Sequence, residues 1–408
     1  MAGRADYDVL IVGGGMVGAS LACVLRGSSL RIGVIEAVPL AAADQPSYDD
    51  RTIALAYGSR RIFEGLDLWR DIAPDATPIE RIHISDRGHF GVTRLAASDA
   101  GLPALGYVVA NRVLGAGLLK RLEVSKNIDW LCPAEMRDIR LQPAYAQVDV
   151  RHLDADQTLT ATLVVAADGA HSAVRAAVGI EAARTEYRQT AVVTNVTAGV
   201  PHHNTAYERF TDTGPLALLP LSGDRCAVVW SAREEEVPTI LGWSDGEFLQ
   251  HLQDRFGDRL GNFTRVGTRA AYPLALTRVR EHVRGHLALI GNAAHTVHPV
   301  AGQGFNLGLR DVAAISEILM DAVRTDADIG DVRTLRRYAD WRRRDNQVIA
   351  AFTNGLIRIF SNDFPPLALA RNAGLIAVDL LPGIKRGFIR MTSGLAGRLP
   401  RLARGLPL

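Results

Sequence analysis

The sequence predicts an α/β protein. A parallel sheet flanked by helices is interrupted by a mostly antiparallel sheet and followed by a C-terminal helical segment. Three observations support this class. The apolar run at 8–12 leads into a glycine-rich turn and then into apolar residues at helical spacing. Residues 187–285 contain several short, alternating segments that are typical of antiparallel strands. Residues 361–408 combine apolar positions at helical spacing with basic side chains.

A glycine-rich turn lies directly after the first predicted strand. Gly13, Gly15 and Gly18 have the G-x-G-x-x-G spacing, with Met16 and Val17 inside the motif. Glycine permits a tight turn and lets a diphosphate approach the backbone N–H groups at the start of a helix. A second predicted strand ends in Glu36, an acceptor for ribose hydroxyls. Together these features predict a dinucleotide site, but they do not separate FAD from NAD.

An Asp-Gly turn follows a later apolar strand, Leu163–Ala167. The carboxylate of Asp168 is suited to accept a hydrogen bond from a ribose or ribityl hydroxyl. The alternative is an ordinary turn that leads into a helix capped by Ser172. Local sequence does not decide between these two interpretations.

A third motif occupies residues 287–312. An apolar strand leads to a turn at Gly291-Asn292, and a second glycine bend, Gly302-Gln303-Gly304, opens a helix that begins with Phe305 and Asn306. The start of that helix would direct unpaired N–H groups and the positive end of its dipole at a bound anion or ring. The two histidines between the bends, His295 and His298, have no third metal ligand nearby and are predicted to fix the loop by hydrogen bonds.

Composition excludes several classes of protein. The net charge of +2 gives no case for nucleic-acid binding. Three widely spaced cysteines form no metal or redox motif, and the N-terminus has no signal-peptide pattern, so we expect a cytoplasmic protein. The charge is uneven, because residues 361–408 carry seven Lys and Arg against two Asp.

The order and content of these motifs resemble a known family. The matching segments are GGGMVGASLA (13–22), DDRTIAL (49–55), HISDRGHFG (83–91), AADGAHSAVR (166–175), ERFTDTGPLALLPL (208–221), YPLALT (272–277) and GNAAHTVHPVAGQGFNLGLRD (291–311). The chain is similar to the group A flavoprotein monooxygenases of the p-hydroxybenzoate hydroxylase fold. Within them it resembles the ubiquinone-biosynthesis hydroxylases, most closely the 2-polyprenyl-6-methoxyphenol hydroxylase branch. The resemblance covers about residues 6–390.

The resemblance implies a Rossmann-like FAD-binding domain of the p-hydroxybenzoate hydroxylase type. This domain would be discontinuous, over 1–75, 100–182 and 280–360. A substrate domain over 76–99 and 183–279 would contain the inserted sheet, and a helical tail would occupy 361–408.

The resemblance also implies non-covalent FAD and assigns residues to it. Gly13, Gly15, Gly18 and Glu36 would hold the adenosine diphosphate end, and Asp168 would serve FAD and the nicotinamide donor. Pro299 and the backbone of 302–306 would line the isoalloxazine ring. Arg51 and Arg112 would flank the pyrophosphate or ribityl chain. The local sequence around Arg51 instead favours a solvated charge just before a predicted helix that contains Leu55, Ile62, Leu66 and Trp69.

One position departs from the broad family, whose usual Gly-Asp is Gly291-Asn292 here. A neutral hydrogen bond to a ribityl hydroxyl contributes about 1 kcal/mol, against about 1.5–3 kcal/mol for a charged one. We therefore expect Asn292 to contact FAD more weakly than an aspartate would.

The expected reaction is hydroxylation of a polyprenylated phenol in ubiquinone biosynthesis by a C4a-hydroperoxyflavin formed from O₂, with NADPH or NADH as the electron donor. The sequence identifies no catalytic acid or base, and a residue that activates the phenol is expected from the 187–275 sheet. Two alternatives stay open. One is another flavin oxidoreductase of this fold, and the other is a non-catalytic, FAD-bound scaffold in a ubiquinone-biosynthesis protein complex.

The tail also has two interpretations. Ile384, Phe388, Met391 and Leu395 recur at helical spacing, with Lys and Arg between them. Such a basic amphipathic helix either docks on the protein body or gives peripheral contact with the inner face of a membrane.

Overall fold

The computed structural model describes residues 5–39, 51–298, 302–360 and 364–408. The strands of these residues are, in chain order, β1 Tyr7–Val12, β2 Ile32–Ile35, β3 Thr52–Ala56, β4 Thr77–Ile79, β5 Arg81–Asp86, β6 Val92–Ala96, β7 Gly106–Ala110, β8 Ile128–Leu131, β9 Ala134–Leu141, β10 Ala146–His152, β11 Ala155–Ala166, β12 Ala182–Thr197, β13 Thr205–Thr211, β14 Gly214–Pro220, β15 Arg225–Arg233, β16 Arg265–Val266, β17 Ala270–Val279, β18 Val283–Arg284, β19 Leu287–Leu289 and β20 His295–Thr296.

The α-helices of the same residues flank these strands and form the C-terminal segment. They are α1 Met16–Leu25, α2 Tyr57–Gly65, α3 Trp69–Ile72, α4 Asn111–Glu123, α5 Ala173–Ala177, α6 Val237–Gly242, α7 Asp245–Phe256, α8 Gln303–Arg324, α9 Val332–Phe360, α10 Pro365–Leu380 and α11 Pro382–Thr392.

An eight-stranded sheet carries all three glycine-containing bends. Its order is β18-β19-β11-β1-β2-β8, with β10 and β9 extending from β11. β1 pairs parallel with β11 and β2, and β11 pairs parallel with β19. Because these strands run the same way, their carboxyl ends meet at one edge, and the turns after Val12, Ala166 and Leu289 lie side by side.

Burial on both faces explains why these strands are apolar. Leu10 and Ile11 point to opposite faces of β1, and neither is exposed. α1 and α8 pack together on one face, and Leu309 and Ile315 of α8 belong to that core. The predicted Rossmann-like fold is confirmed.

A second, nine-stranded sheet is mostly antiparallel, as predicted. Its order is β20-β17-β12-β15-β14-β13-β5-β6, with β16 on β12, and the β13–β5 pair is parallel. Most of its strands come from 76–99 and 183–279, although β4 joins a small sheet with β3 and β7, and β20 comes from the third motif. The domain boundaries themselves remain a prediction.

The helix predicted for the segment with Leu55, Ile62, Leu66 and Trp69 is partly wrong, because Leu55 lies in a strand. Thr52–Ala56 forms β3, which pairs with β7 from Thr52 with Ala110 to Ala56 with Gly106, and helix α2 begins only at Tyr57. The apolar spacing of this segment is helical, but the distant partner strand decides its conformation.

The C-terminal segment is docked on the inserted sheet. The side-chain oxygen of Asn372 accepts a hydrogen bond from the backbone N–H of Gly91 at 2.6 Å, and the hydroxyl of Thr93 donates to the backbone oxygen of Leu375 at 2.6 Å. Ile389 of α11 is fully buried. Within the described ranges, no single helix is long and apolar enough to span a membrane; α10 and α11 reach that length only together, with a 95° bend between them.

Candidate active site

One large cavity lies between the carboxyl edge of the parallel sheet, the inserted sheet and the C-terminal helices. Its volume is about 1470 Å³. Residues of all three motifs line it, including Gly13, Asp168, Asn292 and Gly304. The structure therefore brings together bends that lie far apart in the sequence.

The first glycine turn is shaped by contacts that leave no room for side chains. Gly13 has a φ of +100°, and a Cβ there would lie 2.6 Å from the backbone oxygen of Ala167. A Cβ on Gly18 would lie 1.9 Å from the backbone oxygen of Gly13, so Gly18 supports the turn from behind while Gly15, Met16 and Val17 line the cavity. The glycine spacing keeps backbone, rather than side chains, at the cavity wall.

Glu36 stands at the end of β2 and is 8% exposed. Its two carboxylate oxygens accept hydrogen bonds from the backbone N–H groups of Gly14, at 2.7 Å, and Val38, at 2.8 Å. The carboxylate also lines the cavity. It is thus held in place by the glycine turn, in the position predicted for a ribose acceptor.

Asp168 has an unsatisfied oxygen. Its Oδ2 accepts a hydrogen bond from the backbone N–H of Val174 at 3.1 Å, whereas its Oδ1 is buried and has no hydrogen-bond partner among the described residues. Burial raises the pKa of this carboxyl group. A ligand hydroxyl would satisfy Oδ1, so the structure favours the ligand-binding interpretation of the Asp-Gly turn over the purely structural one.

Val17 joins the first motif to the third. A Cβ on Gly291 would lie 3.1 Å from Cγ1 of Val17, and one on Gly308 would lie 3.0 Å from Cγ2 of Val17. Two glycines therefore let α1 and α8 pack closely around this side chain. Asn292, which follows Gly291, is exposed and lines the cavity.

The start of α8 lines the cavity, and one of its lining residues, Asn306, also anchors the helix. Gly302 has a φ of +62° and, like Gly304 and Phe305, lines the cavity. The side chain of Asn306 accepts hydrogen bonds from the backbone N–H of Ala56 at 2.8 Å and from the hydroxyl of Ser59 at 2.6 Å, and it donates to the backbone oxygen of Ala54 at 2.8 Å. Its amide therefore ties α8 to β3 and α2.

Besides Gly18, three predicted cofactor residues among the described ones do not line the cavity. The amide of Gln303 is buried and donates to the backbone oxygen of Thr392 at 3.2 Å. The guanidinium of Arg51 lies over the ring of Tyr272, 4.7 Å from its centroid, and Arg112 is exposed at the start of α4. Their contacts with a cofactor stay predictions. Pro299 lies outside the described residues.

These residues fit FAD. The glycine turn and Glu36 suit a nucleotide diphosphate, the unsatisfied oxygen of Asp168 suits a sugar or ribityl hydroxyl, and the start of α8 suits an electron-rich ring. Within the described residues, no group of His, Cys, Asp and Glu is arranged to hold a metal ion.

Comparison with known proteins supports an FAD site. A family model described as an FAD binding domain matches residues 6–353. The ubiquinone hydroxylase UbiL of Rhodospirillum rubrum is 40% identical and aligns with 100% of this chain and 95% of its own length. The chain belongs to the FAD-dependent monooxygenases.

Two more proteins illustrate the relationship. The 3-demethoxyubiquinol 3-hydroxylase of Escherichia coli is 31% identical to this monooxygenase, over 95% of this chain and 98% of that protein. The crystal structure of the p-nitrophenol 4-monooxygenase PnpA from Pseudomonas putida is 20% identical. It superposes with a TM-score of 0.78 over 96% of this chain and 98% of that one, which shows a shared fold.

A buried ionic network lies beneath the third bend of this monooxygenase, and sequence reasoning missed most of it. Nε2 of His295 lies 2.6 Å from Oδ2 of Asp311, whose Oδ1 lies 2.7 Å from Nε of Arg342. The backbone N–H of Gly291 donates to Asp311 at 3.0 Å. Burial alone would raise the pKa of Asp311, but the charges of His295 and Arg342 hold it well below its usual range.

Both histidines of the third motif contact other side chains of the protein. His295 makes the hydrogen bond expected of it. Burial lowers the pKa of His298 to about 4, and its ring lies edge-on to that of Tyr187 at 5.2 Å between centroids. Asp311 is the last residue of the segment GNAAHTVHPVAGQGFNLGLRD, which the sequence analysis quoted. No sequence motif pointed to Arg342.

The inserted sheet supplies the far wall of the cavity, and this wall is mainly apolar. Glu208 on β13 is an exception that sequence reasoning did not single out. Burial raises the pKa of its carboxyl group to about 7.

Proposed function

We propose that this monooxygenase hydroxylates a polyprenylated phenol in ubiquinone biosynthesis, with FAD as its cofactor and NADPH or NADH as the electron donor. The observation that carries this proposal is one cavity whose residues suit a nucleotide at one end and are apolar at the other. A phenol with a long apolar tail matches the second part.

The size of the cavity leaves room for more than one small ligand. Its volume of about 1470 Å³ exceeds the range of about 300–1000 Å³ that is usual for one drug-sized molecule. With the cofactor against the parallel sheet, the rest of the space would be available to a substrate.

The C-terminal helices form the apolar end of the cavity. Their lining side chains are Phe352, Leu356, Ile359 and Phe360 of α9, Leu367, Leu375 and Val378 of α10 and Phe388 of α11. Each CH₂ group that such a wall removes from water contributes about 0.8 kcal/mol, so a prenyl chain would bind strongly there. The tail helices are thus part of the proposed substrate site.

The relatives support the same substrate class. One relative is named a ubiquinone hydroxylase and another a 3-demethoxyubiquinol 3-hydroxylase, and each aligns with nearly the whole chain. Both names refer to ubiquinone or a demethoxyubiquinol.

FAD, when bound, supplies the activation of O₂ and the transfer of one oxygen atom. The protein would place the two partners and control their surroundings. The start of α8 would stabilise negative charge on a ring bound beside Gly304. The apolar walls would exclude water and so protect a reactive oxygen species from hydrolytic loss.

Anaerobic reduction tests this function against the alternatives. We expect NADH or NADPH to bleach the bound flavin, and a short-chain prenyl methoxyphenol to accelerate bleaching. A flavin that neither donor reduces, with or without the phenol, would favour the non-catalytic scaffold. Consumption of the phenol without O₂ would instead indicate a reductase.

We also propose that the tail contacts a membrane surface. Leu380, Leu381 and Ile384 meet where α10 and α11 join, and each is about half exposed or more. Arg386 and Arg390 are exposed on α11 beside them. An exposed apolar tip with adjacent basic side chains suits an anionic lipid surface, from which a prenylated substrate would enter the cavity.

A further inference from the structure

The structure points to a specific role for Glu208. It lies in β13, where alternate side chains face opposite sides of the inserted sheet. Ala206, Glu208 and Phe210 line the cavity. Arg209 points to the other side, where its guanidinium donates to the backbone oxygen of Phe256 at 2.8 Å. The carboxylate of Glu208 therefore enters the substrate part of the cavity.

The immediate neighbours of Glu208 cannot satisfy its carboxylate. Directly across the adjacent strands lie Ile84 of β5 and Ala217 of β14, and Val229 of β15 follows Ala217 in the same row. All three are apolar and line the cavity as well. Among the described residues, no hydrogen bond or ion pair reaches the carboxylate. An unpaired carboxylate on an apolar wall is costly unless a ligand satisfies it.

The two arginines that line the cavity are each paired with a carboxylate. Arg371 of α10 is bound to Asp86, with 2.7 Å between Nε and Oδ2, and Arg184 of β12 is paired with Glu186 at 3.5 Å. The lining residues of β6, β14, β15 and α9 are uncharged. The remaining ionisable groups of the lining are Tyr207, Tyr272, Glu36, Glu135, Asp168 and His171. The raised pKa of the Glu208 carboxyl group has burial as its cause, and no cation of the described residues offsets it.

We propose that the carboxylate of Glu208 binds the hydroxyl group of the phenol substrate and accepts its proton during hydroxylation. This proposal rests on the proposed function, because it assigns the phenol-activating residue of that same site. The inserted sheet supplies the residue, which is where the sequence analysis expected it.

The proton transfer is balanced. The O–H bond of the phenol breaks, an O–H bond forms on Glu208, and the electron pair stays on the phenol oxygen. The ring becomes more electron-rich and attacks the electrophilic oxygen that derives from O₂ more readily. The ring carbon that receives the oxygen then loses its hydrogen as a proton to solvent, which restores the aromatic ring. The phenol oxygen takes its own proton back from Glu208, which is again a carboxylate.

A carboxylate partner also gives selectivity for a free hydroxyl. A methyl ether has the same ring but cannot donate a hydrogen bond, so once bound it would cover the carboxylate and leave it unsatisfied. A hydrogen bond to a charged group is strong enough for a preference of about 10- to 100-fold for the phenol over its methyl ether.

The protonation of Glu208 gives a test that does not depend on turnover. The carboxyl group is protonated well below pH 7 and ionised above it. The bound phenol and Glu208 together hold one proton. Binding therefore releases close to one proton at about pH 6 and almost none at about pH 8.

The experiment is calorimetric titration of the FAD-loaded enzyme with a short-chain prenyl methoxyphenol and with its methyl ether, in buffers of different ionisation enthalpy. For the wild type we expect proton release at about pH 6 only with the phenol, and a 10- to 100-fold preference for it at about pH 8. Glu208→Gln abolishes the proton release and reduces the preference. The control Glu235→Gln, at an exposed position, behaves like the wild type.

The outcomes separate the two proposals. If the wild type binds the phenol but releases no proton and does not discriminate against the ether, the role of Glu208 is wrong and the proposed function stands. The same holds if Glu208→Gln retains both properties. If the wild type binds neither compound, the proposed function fails, and the role of Glu208 fails with it. The two wild-type measurements decide the matter even if Glu208→Gln does not fold.

Discussion

Nε2 of His295 and Oδ2 of Asp311 lie 2.6 Å apart in the core beneath the third bend. The other oxygen of Asp311 binds Arg342, which is itself fully buried. The carboxylate therefore joins the loop after β19 to the helix pair α8 and α9. Because it also accepts from the backbone N–H of Gly291, the network holds the turn that presents Asn292 to the cavity.

Asp311→Asn tests this network. The substitution leaves the buried Arg342 with one carboxylate partner, Asp345, instead of two. We therefore expect a loss of about 3 kcal/mol in the free energy of unfolding, and weaker FAD binding. Chemical denaturation and flavin fluorescence measure the two effects. The matched control is Asp340→Asn, whose partner Arg343 is exposed, and it should change stability by less than about 0.5 kcal/mol. Equal effects of the two substitutions would contradict the account.

Gly304→Val tests the ring site without disturbing the protein core. A Cβ at Gly304 meets nothing within 4 Å in the protein, although the residue lines the cavity. The apoprotein should therefore fold with a free energy of unfolding within about 1 kcal/mol of the wild type, while FAD affinity should fall at least about tenfold. Gly246→Ala, which also has open space but lies on α7 away from the cavity, should leave FAD binding unchanged. Wild-type FAD affinity in Gly304→Val would place the ring elsewhere.

Glu208 makes stability depend on pH with a definite sign. Burial raises its pKa from the usual value of 4.5 to about 7, so the folded state binds this proton more tightly than the unfolded state does. The stability contributed by the protonated form is fully present below pH 4.5 and is lost as pH rises through 7.

Glu208→Gln removes this dependence. At pH 8 we expect the variant to be more stable than the wild type by on the order of 1–3 kcal/mol, with the difference vanishing near pH 4.5. Denaturant unfolding of the apoprotein at several pH values measures it. A difference that does not vary with pH would show that the carboxylate is well solvated in the folded protein.

The exposed tip of the C-terminal helices predicts binding to anionic vesicles. Leu381→Ser with Ile384→Ser should weaken co-sedimentation at least about tenfold, because each apolar side chain inserted into the interface contributes about 1.5–3 kcal/mol. Val124→Ser with Leu153→Ser, which removes two exposed apolar side chains elsewhere, should bind like the wild type. Wild-type protein that stays in the supernatant would remove the membrane proposal.

Point substitutions are the better test of the tail than a truncation. Leu402 is buried, and a Cβ on Gly65 of α2 would lie 2.8 Å from its Cδ2. Removing the chain beyond 383 would therefore damage the protein body as well as the tip.

The parts of the site that sequence predicts are those set by local backbone chemistry. The turns at Gly13, Asp168 and Gly291 follow from glycine spacing and from the order of apolar strands, and parallel pairing brings them to one edge. What sequence misses depends on distant partners. Asp311 and Arg342 meet only because α8 and α9 pack together, and β3 forms only because β7 pairs with it.

Glu208 shows the same limit at the substrate side. Its strand alternates in a way that predicts two faces but not which face meets the cavity. The side that each residue faces depends on where α7 and the C-terminal helices cover the sheet, and these contacts join residues far apart in the chain.

The most direct test of the central claim is the fate of molecular oxygen. The FAD-loaded enzyme is given NADH or NADPH, a short-chain prenyl methoxyphenol and oxygen-18-labelled O₂, and the product is analysed by mass spectrometry. The account predicts a hydroxylated phenol that carries one labelled oxygen atom. Consumption of NADH or NADPH without a labelled product would contradict the account. A product whose new oxygen comes from water would contradict it as well.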